Sequence, residues 1–268
     1  NDVTIPSSTG FTTYKDNVGE MQNRGFEVSV RSNIINDRDM SFSIFANLAH
    51  NENKLLKISS SLRDYNDRVD EMYKELKIYD SESAKPYKKY EEGASTTAIS
   101  VVKSHGIDPA TGNEILEKRD GTLTTVWDSA DQISYGDTEP DIQGSFGFNF
   151  RYKQLSLYAT FMYEYGGQRY NQTLVDRVEN ARIQYQNVDL RVLTDRWKQP
   201  GDIAQFKDIK NADSATMPTS RFVQDKAYLR LSALTLSYDF NREWIKKYLG
   251  MNMLRLEAST RDFINWNS

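Results

Sequence analysis

Apolar and polar residues alternate strictly in the middle of the chain. Between positions 142 and 152 the even positions hold Ile, Gly, Phe, Phe, Phe and Tyr, and the odd positions hold Gln, Ser, Gly, Asn and Arg. Between 155 and 165 the odd positions hold Leu, Leu, Ala, Phe, Tyr and Tyr. Successive side chains of a strand point to opposite faces, so the pattern predicts two strands, each with an apolar and a polar face. Lys153 and Gln154 form the predicted turn.

A hairpin of this kind is typical of a transmembrane β-barrel. Each predicted strand has about ten residues, which is the length that a tilted strand needs to cross a bilayer. Barrels of this class have an apolar face toward lipid and a polar face toward the lumen. We therefore interpret Gln143, Asn149 and Arg151 as lumen-facing residues.

Further alternating segments occur near both ends of the chain. Positions 26–34 and 40–49 predict a second hairpin with a tight polar turn, and 234–240 and 254–258 predict two more strands. Leu229 and Leu231 are out of phase with the apolar positions of 234–240. This change of phase predicts a β-bulge near Ser232 and Ala233.

Long polar segments separate the predicted hairpins. Apolar residues three or four apart predict a helix over 62–78, within a loop at 54–93. The second long loop, 169–226, carries helical patterns around Leu174 and Val178 and around Leu190, Leu193 and Trp197, and a helical turn is predicted at 242–249. Alternating short turns and long loops match a barrel with short periplasmic turns and long extracellular loops.

The segment 94–141 gives a less regular pattern. Positions 94–103 predict a strand, and 106–112 form a cluster of turn residues. Positions 114–125 predict a hairpin around Asp120 and Gly121.

Composition supports this architecture and excludes several protein classes. Hydrophobic residues make up 38% of the 268 residues, below the roughly 45–50% of soluble domains. The net charge of −4 argues against nucleic-acid binding. The sequence has no cysteine, which excludes disulfides and thiolate metal sites. No apolar run approaches the roughly 18 residues of a membrane helix, and the opening NDVTIP is no signal peptide, so we expect a piece of a longer protein.

The sequence carries no catalytic signature, so we expect no enzyme activity, metal or cofactor. G-x-S-x-G, P-loop and H-E-x-x-H motifs are absent. His50 and His105 are interpreted as ordinary polar positions, and the oxygen-bearing residues after Asp108 as a turn without EF-hand spacing. Glu139 and Asp141 are interpreted as a solvated loop rather than a glycosidase pair.

Aromatic and basic residues of the second loop are the candidates for substrate contact. Arg169, Tyr170 and Tyr185 are the candidate substrate-binding residues. The alternative is that such aromatic rings pack the loops together, and we favour this second role for Trp197.

Several segments, taken in order, resemble the C-terminal half of SusC/RagA-type TonB-linked outer-membrane transporters. They are NVGEMQNRGFE at 17–27, GIDPATG at 106–112, GDTEP at 136–140 before GSF at 144–146, GGQRYN at 166–171, RWKQPGD at 196–202, YLRL at 228–231 and LTLSY at 234–238. The resemblance lies in the order of these motifs over nearly the whole chain.

The resemblance implies an all-β protein, part of an antiparallel transmembrane barrel of about 22 strands in the bacterial outer membrane. It implies uptake of glycan or peptide nutrients, with a SusD-like lipoprotein as the lid and TonB as the driving partner. It further implies that residues 1–268 are the C-terminal part of the barrel, without the plug domain, the N-terminal extension or the last strand.

Two other classes of protein remain as alternatives. One is a soluble or surface-attached β-rich protein that binds glycans, as adhesins do. The other is a secreted glycoside hydrolase on a β scaffold.

Overall fold

The computed structural model describes residues 2–4, 13–15, 19–75, 84–183, 187–211, 215–240 and 243–267. The strands are β1 (Asp2–Thr4), β2 (Thr13–Lys15), β3 (Gly19–Asn36), β4 (Met40–Ile58), β5 (Ala98–Val101), β6 (Lys103–Ile107), β7 (Glu114–Glu117), β8 (Leu123–Thr124), β9 (Ile133–Asp137), β10 (Ile142–Tyr152), β11 (Leu155–Tyr170), β12 (Val223–Phe240) and β13 (Leu254–Asn267). The helices are α1 (Ser60–Glu75), α2 (Gln172–Leu174), α3 (Arg191–Thr194) and α4 (Glu243–Leu249).

The chain divides into two compact units. We call Asn1–Asn23, Asn53–Thr138 and Gln168–Gln224 the loop unit, and Arg24–Glu52, Glu139–Gly167 and Asp225–Ser268 the strand unit. Among the described residues, no helix has both the length and the apolar character to cross a membrane.

A six-stranded sheet, in the order β13-β12-β11-β10-β4-β3, holds the alternating segments. β10 pairs antiparallel with β11, so that Phe146 lies opposite Phe161 and Phe148 opposite Ala159. On the other side, β10 pairs antiparallel with β4, and Phe148 lies opposite Ile44. The register thus places apolar residues beside apolar residues and confirms the predicted two-faced hairpin.

The apolar face carries aromatic rings in contact across strands. The rings of Phe146 and Phe161 stack with centroids 5.0 Å apart, and the ring of Phe42 lies 6.1 Å from that of Phe148 and 6.3 Å from that of Phe150. Phe146 is still 39% exposed. A contiguous exposed face of aromatic and aliphatic side chains marks a surface that contacts a membrane or another protein.

The two residues between β10 and β11 form the predicted turn. Lys153 has φ of 52°, in the left-handed region that two-residue hairpin turns require. Its backbone N–H donates to the carbonyl oxygen of Asp39 at 2.6 Å. The predicted bulge in β12 is also confirmed, because the pairing with β13 shifts register between Leu231 and Ala233.

Several predicted boundaries were wrong. β4 continues to Ile58 and β12 starts at Val223, so both long loops are shorter than predicted. The first helix covers Ser60–Glu75, and 76–78 lie outside the described residues. Strands grow beyond their alternating cores because backbone pairing with a neighbour, invisible in a single sequence, extends them.

The second helical pattern of the long loop was also misjudged. α3 spans only Arg191–Thr194, so Trp197 lies beyond it. Val192 is buried, whereas Leu190 and Leu193 are 72% and 64% exposed. The first pattern is confirmed, since a turn of π-helix at Val175–Glu179 follows α2, and Leu174 and Val178 are buried.

Segment 94–141 contains more strands than predicted. The strand predicted over 94–103 is present but shorter, as β5 (Ala98–Val101), which pairs with β9, while β6 begins at Lys103 and pairs with β7. The hairpin around Asp120 and Gly121 is confirmed as β7 and β8. Gly121 has φ of 85°, and its N–H donates to the carbonyl oxygen of Lys118 at 2.9 Å.

Candidate functional site

The polar face of the strand unit holds the three residues predicted to face the lumen. Gln143, Asn149 and Arg151 lie on one face of β10, and all three are exposed. Between the paired strands β4 and β10, Asn47 donates from Nδ2 to Ser145 Oγ at 3.0 Å, and Asn47 Oδ1 accepts from the Ser145 N–H at 2.7 Å. These bonds fix the polar side chains of β4 and β10 in one hydrated surface.

An aromatic pair also lies on this polar face. The rings of Phe45 and Tyr158 are stacked, with centroids 6.4 Å apart and an interplanar angle of 16°. Gly147 lies between their strands, and a Cβ atom there would come within 2.7 Å of Phe45 Cζ. The missing side chain of Gly147 therefore leaves room for the ring of Phe45.

Charged residues of β11, β12 and β13 add ion pairs to the same unit. Glu164 pairs with Lys226 at 2.9 Å and accepts from the Tyr228 hydroxyl at 2.9 Å. Arg230 lies 3.3 Å from Asp262. Sequence reasoning missed this group, because the positions of Lys226, Tyr228 and Arg230 alternate with leucines but their partners are set by strand register.

The aromatic and basic residues that were candidates for substrate contact in the second long loop have different surroundings. Arg169 is exposed at the end of β11. The ring of Tyr170 packs edge-on against Phe222 with centroids 6.0 Å apart, next to the buried core of the loop unit. Tyr185 lies outside the described residues. Trp197 donates from Nε1 to the carbonyl oxygen of Pro109 at 2.9 Å, which confirms that it packs two loop segments together.

A buried ion cluster joins distant segments of the loop unit. Arg221 contacts Glu114 at 2.9 Å and Glu179 at 2.6 Å, and the Glu179 side chain is fully buried. Arg196 donates to the carbonyl oxygens of Val178 and Glu179. Every charge here has a close partner of opposite sign or a carbonyl oxygen, as burial of charge requires.

The pKa values in the cluster follow from burial and from these pairs. Burial alone would raise the pKa of Glu179, but the Arg221 guanidinium lowers it below the ordinary value. Burial would lower the pKa of Arg221, but Glu179 and Glu114 raise it. For Lys207, burial lowers the pKa to about 8 despite the attraction of Glu179. Glu179 is therefore ionised at neutral pH, and the cluster holds β7, the π-helical turn and the turn before β12 together.

The residues that the sequence analysis assigned to ordinary structural roles have ordinary partners. His105 Nε2 lies 2.6 Å from Glu117, and Glu139 accepts from Asn51 Nδ2 at 2.7 Å. Asp108 accepts from the Thr111 hydroxyl at 2.6 Å, a turn contact that lowers the Asp108 pKa. In the described part of the chain, no group of three or more His, Cys, Asp or Glu residues is placed to hold a metal ion.

The chain is similar over nearly its whole length to TonB-dependent receptors of Formosa agariphila. TonB-dependent receptor P3 is 25% identical over 270 residues, which are 98% of this chain and 26% of the receptor. TonB-dependent receptor P39 is 23% identical over 302 residues, covering 96% of this chain and 28% of the receptor. No protein-family profile matches the chain.

Solved structures with the same fold include those of the RagAB peptide transporter. The RagAB peptide transporter superposes with a TM-score of 0.72 and 20% identity, over 99% of this chain and 28% of the other. The RagAB peptide importer in its 'open-open' state gives a TM-score of 0.74 and 19% identity, over 99% and 27%. The resemblance to SusC/RagA-type TonB-linked receptors is confirmed.

Comparison with the SusC/RagA-type receptors also tests the predicted fold class and location. The predicted all-β antiparallel fold is confirmed, and it corresponds to part of the barrel in those structures. SusC/RagA-type receptors are outer-membrane proteins, and the predicted outer-membrane location is confirmed. The named relatives are receptors and transporters, in agreement with the prediction of a protein that is not an enzyme. The chain spans about a quarter of the length of the curated relatives it matches.

Proposed function

We propose that this chain supplies barrel wall and extracellular loops to a TonB-dependent importer of the outer membrane. The observation that carries the proposal is the six-stranded antiparallel sheet, whose register sorts apolar and polar residues onto opposite faces. Only a closed barrel lets such a sheet cross lipid, because every edge strand is then paired. The order of the sequence motifs supports the further proposal that residues 1–268 are the C-terminal part of that barrel.

The two faces have different roles in this proposal. Phe146, Phe148 and Phe150 contact lipid, and the polar face lines the space inside the barrel. Gln143, Asn149 and Arg151 are exposed on that polar face, so they contact the plug domain or the solute path.

The loop unit is proposed to be the extracellular part, which contacts the cargo or a SusD-like lipoprotein lid. Its ion cluster around Arg221 supports this role, because a binding surface needs loops held in one arrangement. Arg169 remains a candidate for substrate contact, since its side chain is exposed. Tyr170 is a weaker candidate than the sequence indicated, because its ring packs against Phe222.

The proposed cargo is an oligosaccharide or a peptide, and the energy comes through TonB. A peptide is supported by the solved relatives, whose structures are those of a peptide transporter and importer. An oligosaccharide is supported by the sequence resemblance to SusC-type transporters.

Uptake by the intact receptor tests the proposal. Cells that carry the complete gene are given labelled oligosaccharides and peptides, with and without a functional TonB complex. We expect TonB-dependent uptake of one of the two classes, and loss of uptake when the partner lipoprotein is deleted. Uptake that is independent of TonB would contradict the proposal. A gene product that stays folded and monomeric without detergent would instead support the alternative of a soluble or surface-attached glycan-binding protein.

A further inference from the structure

A short helix follows β12 at the end of the sheet where the hairpin turns lie. α4 (Glu243–Leu249) links β12 to β13 within the strand unit. The backbone N–H of Asp239, near the end of β12, donates to the carbonyl oxygen of Gln154 in the β10–β11 turn at 2.9 Å. α4 therefore lies at the same end of the sheet as that two-residue turn. Short turns of outer-membrane barrels face the periplasm, so this is the periplasmic end of the proposed barrel.

The apolar stripe of α4 is only partly covered by the rest of the chain. Ile245 is fully buried. Tyr248 and Leu249 follow it by three and four positions, so they share its side of the helix. Tyr248 is nevertheless 72% exposed, and Leu249 is 49% exposed. The described part of the chain thus leaves an apolar surface of this helix open.

This apolar surface continues from α4 into β13. Gly250, with φ of 67°, ends the helix in the left-handed conformation that favours glycine. Met251 and Met253 follow it and are exposed, as is Leu256 in β13. Leu256 lies opposite Tyr238 of β12, on the apolar face of that strand pair. The open surface of α4 is therefore continuous with the face that the proposed function places against lipid.

Positive charge borders the open surface of α4. Positions 242–247 read REWIKK, with three bases and one acid. Lys246 and Lys247 are exposed, and Lys247 Nζ lies 5.4 Å from the centroid of the Tyr248 ring. Neither lysine belongs to an ion pair within the described part of the chain. Lysine and tyrosine are side chains that favour the headgroup level of a membrane.

A second pair of this kind lies at the same end of the sheet. Lys153 Nζ in the β10–β11 turn lies 5.4 Å from the centroid of the Tyr152 ring, and both residues are exposed. The acidic residues at this end are Asp37 and Asp39 in the β3–β4 turn, Glu243 at the start of α4, and Asp239, which pairs with Arg255 at 2.6 Å. The acid of α4 thus lies in its first turn and the lysines lie in its last turn.

The helix dipole gives a simpler reason for the two lysines. Cations in the last turn of a helix interact favourably with the partial negative charge of its C-terminus. That interaction is available in water as well, and it does not account for the open apolar side chains of Tyr248 and Leu249 beside the lysines. A helix that lies in the interface of a membrane accounts for both features, because its apolar side faces the acyl chains and its lysines reach the headgroups.

We propose that α4 binds the phospholipid headgroups of the periplasmic leaflet. Lys246 and Lys247 contact phosphate groups, and Tyr248 and Leu249 lie at the boundary between headgroups and acyl chains. A lipid with net negative charge, such as phosphatidylglycerol, is preferred, because two lysines attract it more strongly than a zwitterionic lipid. The inference rests on the proposed function, since it requires the strand unit to be part of a membrane-spanning barrel.

Spin labels on the complete receptor in vesicles of phosphatidylethanolamine and phosphatidylglycerol test where α4 lies. The chain has no cysteine, so Leu249→Cys supplies a single labelling site once any cysteine elsewhere in the receptor is replaced by serine. Collisions of the label with lipid-soluble oxygen and with a water-soluble nickel chelate are measured by electron paramagnetic resonance. Labels at Phe148→Cys and Lys118→Cys give the reference values for the lipid-facing wall and for water.

We expect the label at position 249 to collide with oxygen more often, and with nickel less often, than the label at position 118. Its depth should be shallower than that of the label at position 148, because the headgroup level lies outside the acyl chains. Met251→Cys, at a neighbouring exposed position, carries the label if Leu249→Cys fails to assemble.

Lipid titration tests the role of the two lysines. The detergent-solubilised receptor is titrated with phosphatidylglycerol, and bound lipid is counted by native mass spectrometry, with phosphatidylcholine as the comparison. We expect a Kd for phosphatidylglycerol about fivefold weaker for each lysine lost in the Lys246→Gln, Lys247→Gln double variant. The matched control is the Lys118→Gln, Lys198→Gln double variant, which removes two exposed lysines of the loop unit and should bind like the wild type.

Three results would overturn the proposal. A label at position 249 that collides with nickel as often as the label at position 118 would place α4 in water. A label that collides with neither reagent would show that another part of the receptor covers the helix. Unchanged phosphatidylglycerol binding in the α4 double variant would refute the role of the lysines. Failure of the proposed function is separate, because it would appear as a label at position 148 without lipid contact.

Discussion

Two neighbouring residues of β10 give the sharpest test of a lipid-facing wall. Phe148 and Asn149 are adjacent, so their side chains point to opposite faces of the sheet. Phe148 lies opposite Ile44 and Ala159, and Asn149 lies opposite Ser43 and Tyr158. Because Phe148 has apolar neighbours and Asn149 has neighbours with hydroxyl groups, we replace each residue by arginine in the complete receptor.

The expected cost follows from the depth of the site. Phe148 is near the middle of an 11-residue strand, so in a membrane barrel it lies near the bilayer midplane. An arginine on the lipid face at that depth costs about 2–4 kcal/mol, which corresponds to a roughly 30- to 700-fold shift of the folding equilibrium. An arginine at position 149 keeps its charge in water, so Asn149→Arg should cost far less.

Refolding into lipid vesicles measures this difference. The assembled fraction is followed by heat-modifiable migration in gels, and the free energy of unfolding by titration with denaturant. Phe148→Leu is the matched control, because it keeps an apolar side chain on the same face. We expect Phe148→Arg to assemble poorly, and Phe148→Leu and Asn149→Arg to assemble nearly as the wild type does.

Equal damage from the two arginine variants would refute the reasoning. It would mean that both faces of β10 are buried in protein, as in a two-sided soluble sheet. Equal tolerance would also contradict it, since the face of Phe148 would then lie in water.

Three further predictions concern the loop unit and the aromatic pair. Glu179→Leu breaks a buried ion pair, which costs roughly 3–5 kcal/mol. Limited proteolysis should therefore cut the loop unit faster in this variant than in the wild type. As a control, loss of the exposed Asp189–Arg191 pair should leave the cutting rate unchanged. In Gly147→Val the added Cβ atom would clash first with the backbone carbonyl oxygen of Ala159 and then with the ring of Phe45, so the assembled yield in vesicles should fall. The double variant with Phe45→Ala should not regain the full yield, because it removes only the second clash, and full recovery would contradict this reasoning. Lys207 has a pKa of about 8 in the folded chain, against 10.5 for an ordinary lysine. Between these two pH values the unfolded chain binds more protons than the folded chain, so the free energy of unfolding should rise with pH. If Lys207→Met shows the same rise of unfolding free energy with pH, Lys207 is not its cause and the prediction is wrong.

Much of the strand unit was readable from the sequence alone. Alternation with a period of two has one structural meaning, a strand with two unlike faces, and it gave β10, β11 and the turn at Lys153. The bulge between Leu231 and Ala233 was readable as well, because one extra residue reverses the phase of the alternation.

The loop unit was less readable, because its residues are placed by partners that are distant in the chain. Nothing near Glu179 in sequence indicates that Arg221 lies within ion-pairing distance of both Glu179 and Glu114. The helical pattern around Leu190 was misread for the same reason, since tertiary packing buries Val192 instead.

The sequence by itself determined which face of each strand is apolar, because that information is local and repeats every two residues. Only the tertiary structure decided which polar groups meet. It brought Glu164 to Lys226, and it placed Arg221 between Glu114 and Glu179. The physical reason is that a side chain's partners depend on register and loop closure, which many residues fix together.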